Sequence, residues 1–216
     1  MKFVAIADTH GKHRLLKTLP EADVLIHAGD ISLIDDTHLA EDSGHQVEDF
    51  IKWFSGLDYK YKIFIAGNHD FYLEESADSF IRKRLPKNVF YLNDSEMTVA
   101  GFQLWGSPIT PRYWDWAFNR ERGTAINKHW KVIPVNTDIL ITHGPAYGTL
   151  DKSASGEHLG CKDLWKKIDQ IKPKVHICGH IHESYGTEKS LETLFINASV
   201  VNEKYALVNP PIEFSL

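Results

Sequence analysis

Five short apolar runs in this chain each stop at an Asp, Asn or His beside a Gly, and that repetition limits the fold more than any other feature. Phe3 to Ala7 leads into Asp8-Thr9-His10-Gly11, and Val24 to Ala28 into Gly29-Asp30. Ile63 to Ala66 leads into Gly67-Asn68-His69-Asp70, and Ile139 to Thr142 into His143-Gly144. Val175 to Cys178 leads into Gly179-His180-Ile181-His182. Short runs of this kind, bounded by turn residues, read as strands buried on both faces. In open α/β sheets, ligands bind beyond the carboxyl ends of the strands. The five tips can therefore converge, and the glycines let the backbone turn sharply and approach a ligand. One Asp or His at a strand end reads as a cap or a satisfied surface group. Five tips of the same chemistry read as a metal site.

The stretches between the tips complete an alternating pattern. Val47, Phe50, Ile51 and Phe54 fall at i, i+3, i+4 and i+7, the apolar stripe of an amphipathic helix. Helices are also expected near His13 to Leu19, Ala77 to Leu85 and Cys161 to Ile171. Further strands are expected at Val89 to Leu92, Met97 to Ala100, Gln103 to Trp105, Leu194 to Ala198 and Tyr205 to Val208. Strands alternating with helices predict an α/β fold with parallel pairing and helices on the outer faces. The strand-only segments predict a second sheet packed on the first. Pro210 and Pro211 restrict pairing of the tail to a sheet edge.

The 216 residues fit a single domain, 1–216, with a sizeable core. A net charge of −5 argues against a duplex nucleic acid or membrane-surface partner, since phosphate backbones demand surplus Lys and Arg. It leaves room for a small phosphate ester, because bound cations invert the local field. Cys161 and Cys178 form no paired-thiol or zinc-knuckle motif and are expected to be unbridged. The apolar start is too short for a secretory signal and no stretch reaches membrane length, so a cytoplasmic location is expected. Oligomeric state is left open.

Two dications about 3.5–4 Å apart repel each other and need a shared anionic ligand. Asp supplies it, while neutral imidazoles and an Asn carbonyl complete the shells without excess negative charge. Mixed nitrogen and oxygen donors suit Mn, Fe, Co, Ni or Zn better than Ca.

The blocks at Asp8, Asp30, Asn68, His143 and His180, in this order, resemble the five signature blocks of the calcineurin-like metallophosphoesterase superfamily. Tyr61 to His69, Thr142 to Pro145, Gly179 to Glu183, Ile196 to Ser199 and Asn209 to Ile212 extend the likeness to the metallophosphoesterase-domain-containing subfamily. Some members of that subfamily lack the His matching His180, which this chain keeps. The resemblance implies a two-sheet α/β/β/α sandwich and two divalent cations, Mn first, with Fe, Zn, Ni or Co as alternatives. By position, Asp8, His10, Asp30 and His182 would hold one cation. Asp30, Asn68, His143 and His180 would hold the other, with Asp30 shared.

The expected reaction is attack of a metal-bridging hydroxide on phosphorus. His69 protonates the leaving oxygen or stabilises its charge, and Asp70 either orients His69 through a hydrogen bond, as its catalytic role, or serves as a cap or turn residue. The expected substrate is a small nucleotide-like phosphodiester, including cyclic nucleotides. A low-selectivity phosphomonoesterase and a non-catalytic binding scaffold are the alternatives.

Phosphoprotein phosphatases of the superfamily carry Arg shortly after the second Asp; here Ile31 to Asp36 contains none. Purple acid phosphatases carry a Tyr ligand three residues on, where this chain has Leu33. Trp105 to Arg122, with Tyr113, Trp114, Trp116 and Phe118, is expected to line the pocket, Trp114 being the first candidate to stack a base. His13, His27, His38, His45, His129, His158 and His176 are expected to be ordinary satisfied or surface groups. Asp35, Asp36, Glu41 and Asp42 are expected to form a solvated acidic loop.

Overall fold

The computed structural model describes residues 1–33, 40–190 and 192–216, with only the helical backbone for 40–42. His38, Asp35 and Asp36, and the side chains of Glu41 and Asp42, thus lie outside the described residues.

In chain order the first half runs β1 (Lys2–Ile6), β2 (Val24–Ala28), α1 (Ala40–Gly56), β3 (Tyr61–Ile65), α2 (Phe71–Glu75), α3 (Asp78–Lys83), β4 (Val89–Tyr91), β5 (Ser95–Val99) and β6 (Phe102–Ser107). The second half runs β7 (Thr110–Pro111), β8 (Asn119–Arg120), α4 (Thr124–Lys131), β9 (Ile139–Thr142), α5 (Lys162–Ile171), β10 (Val175–Cys178), β11 (Gly186–Ser190), β12 (Thr193–Asn197) and β13 (Ile212–Ser215). One sheet has the order β13-β1-β2-β3-β4 and the other β11-β12-β10-β9-β6-β5. The inner strands of both sheets pair in parallel, while β13, β11 and β5 join antiparallel at edges. β13 directly follows Pro210-Pro211, so the tail does occupy an edge.

Side chains alternate along each strand, and both faces are covered. Phe3, Ala5, Ile26, Ile63 and Ile65 of the first sheet share a core with Leu104, Ile139, Ile141, Ile177 and Ile196 of the second. Their neighbours Val4, Ile6, Leu25 and Phe64 pack outward with Val47, Phe50 and Phe54 of α1. Leu140 and Phe195 pack in the same way with Leu164 and Ile168 of α5. The layering is the expected α/β/β/α.

The two sheets are stitched at their carboxyl ends. Ala7 N–H donates to Ala198 O (2.8 Å), and Val200 N–H donates to Ala7 O (3.0 Å). This seam forces the tips of β1, β2 and β3 to face those of β9 and β10.

Two expected elements are absent. The helix at His13 to Leu19 is a single 3-10 turn, His13–Leu15, because Leu16 leaves helical space (ψ 107°). Leu16 and Leu19 reach the core from extended backbone instead. The strand at Tyr205 to Val208 is a loop with one isolated bridge, Val201 to Leu207. The Asn202 side-chain oxygen captures the N–H groups of Lys204 and Ala206, which replaces ladder pairing by a turn. Among the described residues, no helix is long and apolar enough to cross a membrane. Both cysteines are free and buried.

Candidate metal centre

The turns after the strands place the donors. Asp8 and His10 follow β1, Asp30 follows β2, Asn68 and His69 follow β3, His143 follows β9, and His180 and His182 follow β10. Asp8, His10, Asp30 and His180 all have left-handed backbone (φ 57°, 42°, 56° and 68°), a conformation that residues with a Cβ rarely adopt. Strain of this kind concentrates at functional sites. The glycines allow close approach. A Cβ at Gly179 would lie 2.5 Å from Asp8 Oδ2, and one at Gly67 would overlap the Asp30 carboxylate and lie 2.7 Å from His143 Cε1.

Asp30 sits at the centre. Its Oδ1 accepts the His69 backbone N–H (2.9 Å). Its Oδ2 lies 3.3 Å from His143 Nε2, 3.7 Å from His10 Nε2 and 3.9 Å from His69 Nε2. Asp8 accepts the His180 N–H on both oxygens, at 3.1 and 3.0 Å. The side chains of Asp8, His10, Asp30 and His143 are buried. Three donor sets converge within 4.8 Å: Asp8, His10 and His182; Asp30, His143 and His180; and His10, Asp30 and His69.

The donor chemistry fits cations. His10 Nδ1 faces Ser32 O (3.1 Å), His143 Nδ1 faces Ala28 O (3.0 Å), and His182 Nδ1 faces Asn202 O (3.2 Å). A carbonyl only accepts, so each Nδ1 carries a proton, and whenever such a ring is neutral its Nε2 lone pair turns inward. His10 Nε2 and His182 Nε2 then stand 3.4 Å apart, lone pair to lone pair. His143 Nε2 stands 2.9 Å from Asn68 Oδ1 in the same relation. Such acceptor pairs are repulsive unless a cation or a proton lies between them.

The electrostatics agree. Burial holds His10 well below its ordinary value and brings His180 down to about 3, so both rings are neutral. Burial also raises Asp8. Burial would raise Asp30 too, but His143 and His69 outweigh it and hold that carboxyl well below the usual range. Burial would lower His143, yet Asp30 and Asp8 outweigh it and hold the ring at about 9. Without a cation, therefore, a proton on His143 Nε2 balances Asp30. A cation must displace that proton, so affinity is expected to rise with pH up to about 9 and then level off. For one released proton the gain is about ten-fold per pH unit. Calorimetric titration with Mn in buffers of different ionisation enthalpy counts the proton. A pH-independent affinity with no proton release would contradict ligation through His143.

Asp70 departs from expectation. Its carboxylate accepts N–H bonds from Gly67 (2.8 Å), Ser32 (2.9 Å) and Ile31 (3.2 Å) and the Ser32 hydroxyl (2.6 Å). These four donors consume its oxygens, and His69 Nδ1 has no hydrogen-bond partner among the described residues. Asp70 is thus a clasp between the Asp30 and Asn68 turns rather than the orienter of His69. Burial, with Asp30 nearby, pushes it up to about 6.

The aromatic segment is also rearranged. Trp114 is 73% exposed, whereas Trp116 lies against His69 (ring centroids 4.3 Å). Trp105, Ala117 and Phe118 belong to the core. Tyr113, Arg112 and Arg122 border a cleft of about 440 Å³ that reaches His180. Of the remaining histidines, His27 bonds Thr9, His176 bonds Thr142, and His13, His129 and His158 bond carboxylates. His45 is exposed.

Tyr205 and the three backbone carbonyls were not legible as site residues. Carbonyl partners carry no residue-type signal, and Tyr205 read as a strand residue.

Comparison with known proteins follows the same line. The chain is 39% identical over 238 residues to metallophosphoesterase domain-containing protein 1 of Homo sapiens, covering 100% of this chain and 71% of that protein. A UPF0046 protein of Caenorhabditis elegans is 32% identical over 244 residues, covering 100% of this chain and 60% of that protein. A crystal structure at 18% identity shares the fold, with a TM-score of 0.68 over 91% of this chain and 89% of the other. The family model described as calcineurin-like phosphoesterase matches residues 1–184, which include every donor above, and the chain belongs to that family of metal-dependent phosphoester hydrolases.

Proposed function

We propose that the chain is a two-metal phosphodiesterase acting on small nucleotide-like diesters. The observation that carries this reading is the ring of Nε2 atoms with fixed tautomers around the central Asp30 carboxylate. Asp8, His10, Asp30 and His182 would hold one cation, and Asp30, Asn68, His143 and His180 the other. Such cations lower the pKa of bound water and take up phosphate charge. Mn is the first candidate.

The residues of the chain supply the rest. Burial lowers His69 while the Asp30 charge acts to raise it, and its Nε2 lies 3.9 Å from Asp30 Oδ2. It is placed to donate an Nε2–H hydrogen bond to the leaving oxygen and, in its imidazolium form, to hand that oxygen a proton and become neutral. On the His180 side, Arg122 is fixed by the carbonyls of Gly160 and Leu159, each at 2.9 Å. Carbonyls do not neutralise it, and no carboxylate forms an ion pair with it among the described residues. Arg122 lines the cleft that reaches His180, where its charge, beside the carboxylate of Glu157, favours an anionic group at its own end.

The neighbourhood of Asp30 supports a diester. Ile31 and Ser32 are buried, and the sequence from Ile31 to Asp36 contains no Arg to clamp the extra charge of a monoester. Leu33 is 38% exposed and offers no metal donor.

A substrate panel with added Mn tests the reading. It contains 2′,3′- and 3′,5′-cyclic nucleotides, dinucleotides, bis(p-nitrophenyl) phosphate and p-nitrophenyl phosphate. We expect kcat/KM for the bis ester to exceed that for the monoester by about ten-fold or more, a difference of about 1.4 kcal/mol in transition-state stabilisation. Preference for the monoester would favour a phosphomonoesterase. Full metal loading without any turnover would favour a scaffold.

A further inference from the structure

Resting on the phosphodiesterase reading, we infer that Tyr205 and Trp116 form an aromatic wall for the leaving alcohol, so that diesters releasing a planar ring, an aryl alcohol or a nucleoside, are preferred.

Tyr205 lies outside the five strand tips, in the loop after β12. Its backbone is left-handed (φ 56°), which disfavours any residue with a Cβ. The loop enforces this conformation. Asn202 O accepts the Tyr205 N–H (2.8 Å), and Asn202 Oδ1 accepts those of Lys204 and Ala206 (both 3.0 Å). The Lys12 ammonium caps Tyr205 O. Glycine would make this turn without strain, so what the turn delivers is the ring.

That ring arrives at the metal donors. Its centroid is 4.8 Å from His10, 5.3 Å from His182 and 6.4 Å from His69, each approached edge-on. Trp116 reaches the same His69 from the segment between β7 and β8, with a centroid distance of 4.3 Å and a tilt of 43°. The adjacent Ala117 N–H bonds Asn68 O (3.1 Å), which fixes Trp116 relative to the Asn68-His69 turn. Tyr205 and Trp116 are both half-buried, so neither residue is sealed from solvent.

A purely structural role would make Tyr205 a prop for His10 and His182. Those rings are already oriented by Ser32 O and Asn202 O. His69 faces the leaving oxygen, and the group attached to that oxygen must pass the rings beside His69. A planar leaving group can cover their open surface, while a short aliphatic one cannot.

The experiment compares Tyr205→Ala, Trp116→Ala and Tyr205→Phe with the wild type, all loaded with Mn. The substrates are methyl p-nitrophenyl phosphate, with an aryl leaving group, and glycerophosphoethanolamine, with an aliphatic one. Each Ala variant is expected to lose about ten-fold more kcat/KM on the aryl diester than on the aliphatic one, as one stacking contact predicts. Tyr205→Phe is expected to keep wild-type selectivity. A second readout needs no turnover: calorimetric affinity for phenylphosphonate against methylphosphonate. The wild type is expected to prefer the phenyl compound by about ten-fold, and both Ala variants to lose that preference.

Equal losses on both diesters with an unchanged phosphonate preference would overturn the wall. So would a wild type with no phenyl preference. Failure of the phosphodiesterase reading appears differently, as wild-type protein that turns over neither diester. The phosphonate comparison then still decides whether the rings bind a planar group.

Discussion

Asp30→Ala is expected to lose both cations and nearly all turnover. This carboxylate is the only donor assigned to both metal positions, and three imidazoles approach its Oδ2 within 3.9 Å. Removing it leaves neighbouring cations without a shared anion, and their mutual repulsion opposes double occupancy. Metal electrostatics supply several kcal/mol of transition-state stabilisation, so turnover should fall by about three orders of magnitude or more. The fold should survive in the presence of chelator. The Asp30 side chain accepts one hydrogen bond, from the His69 N–H, and pairs with the His143 ring, which can shed its proton once the carboxylate is gone. Metal analysis of purified variant and circular dichroism separate the two effects. A well-folded Asp30→Ala protein with two bound Mn and full activity would contradict a shared carboxylate.

His69→Ala is expected to keep both cations and lose turnover by about 10²- to 10⁴-fold, the range for removing a general acid. The loss should be steepest for substrates with poor leaving groups, which depend most on the proton. It should be mildest for p-nitrophenolate, which departs readily as an anion. The geometry makes this a real test, because His69 also converges with His10 and Asp30 as a possible third donor set. Two observations separate it from His10, His143 and His182. Among the described residues its Nδ1 has no hydrogen-bond partner, so no carbonyl there fixes its tautomer. Its ring lies against Trp116, with centroids 4.3 Å apart. A His69→Ala protein binding one Mn fewer than wild type would make His69 a ligand and remove it from proton transfer.

Much of the fold and most of the candidate donors were legible in the sequence because they obey local rules. Val24 to Ala28 and Val175 to Cys178 are uninterrupted apolar runs, and each occupies the predicted strand. The α1 stripe at Val47, Phe50 and Phe54 is buried as its spacing requires. The donors stand directly after such strands, where one topological rule places ligands. What was not legible depends on contacts distant in sequence. Asp70 follows His69, so proximity suggested that it orients the ring; instead it reaches back to Ile31 and Ser32. Nothing in the run Trp105 to Arg122 distinguishes Trp114 from Trp116. Only the Ala117 N–H bond to Asn68 O decides which indole meets His69. Tyr205 looked like a strand residue until Asn202 folded its loop into a turn. The short helices α2 and α4 escaped notice because neither carries enough turns to show a periodic stripe.

The most direct measurement is an anomalous difference map from a crystal of this protein soaked in Mn. The account predicts two peaks about 3.5–4 Å apart with the Asp30 carboxylate between them. One peak should be bounded by His10 and His182, and the other by Asn68, His143 and His180. A single peak, or peaks that do not share Asp30, would contradict it.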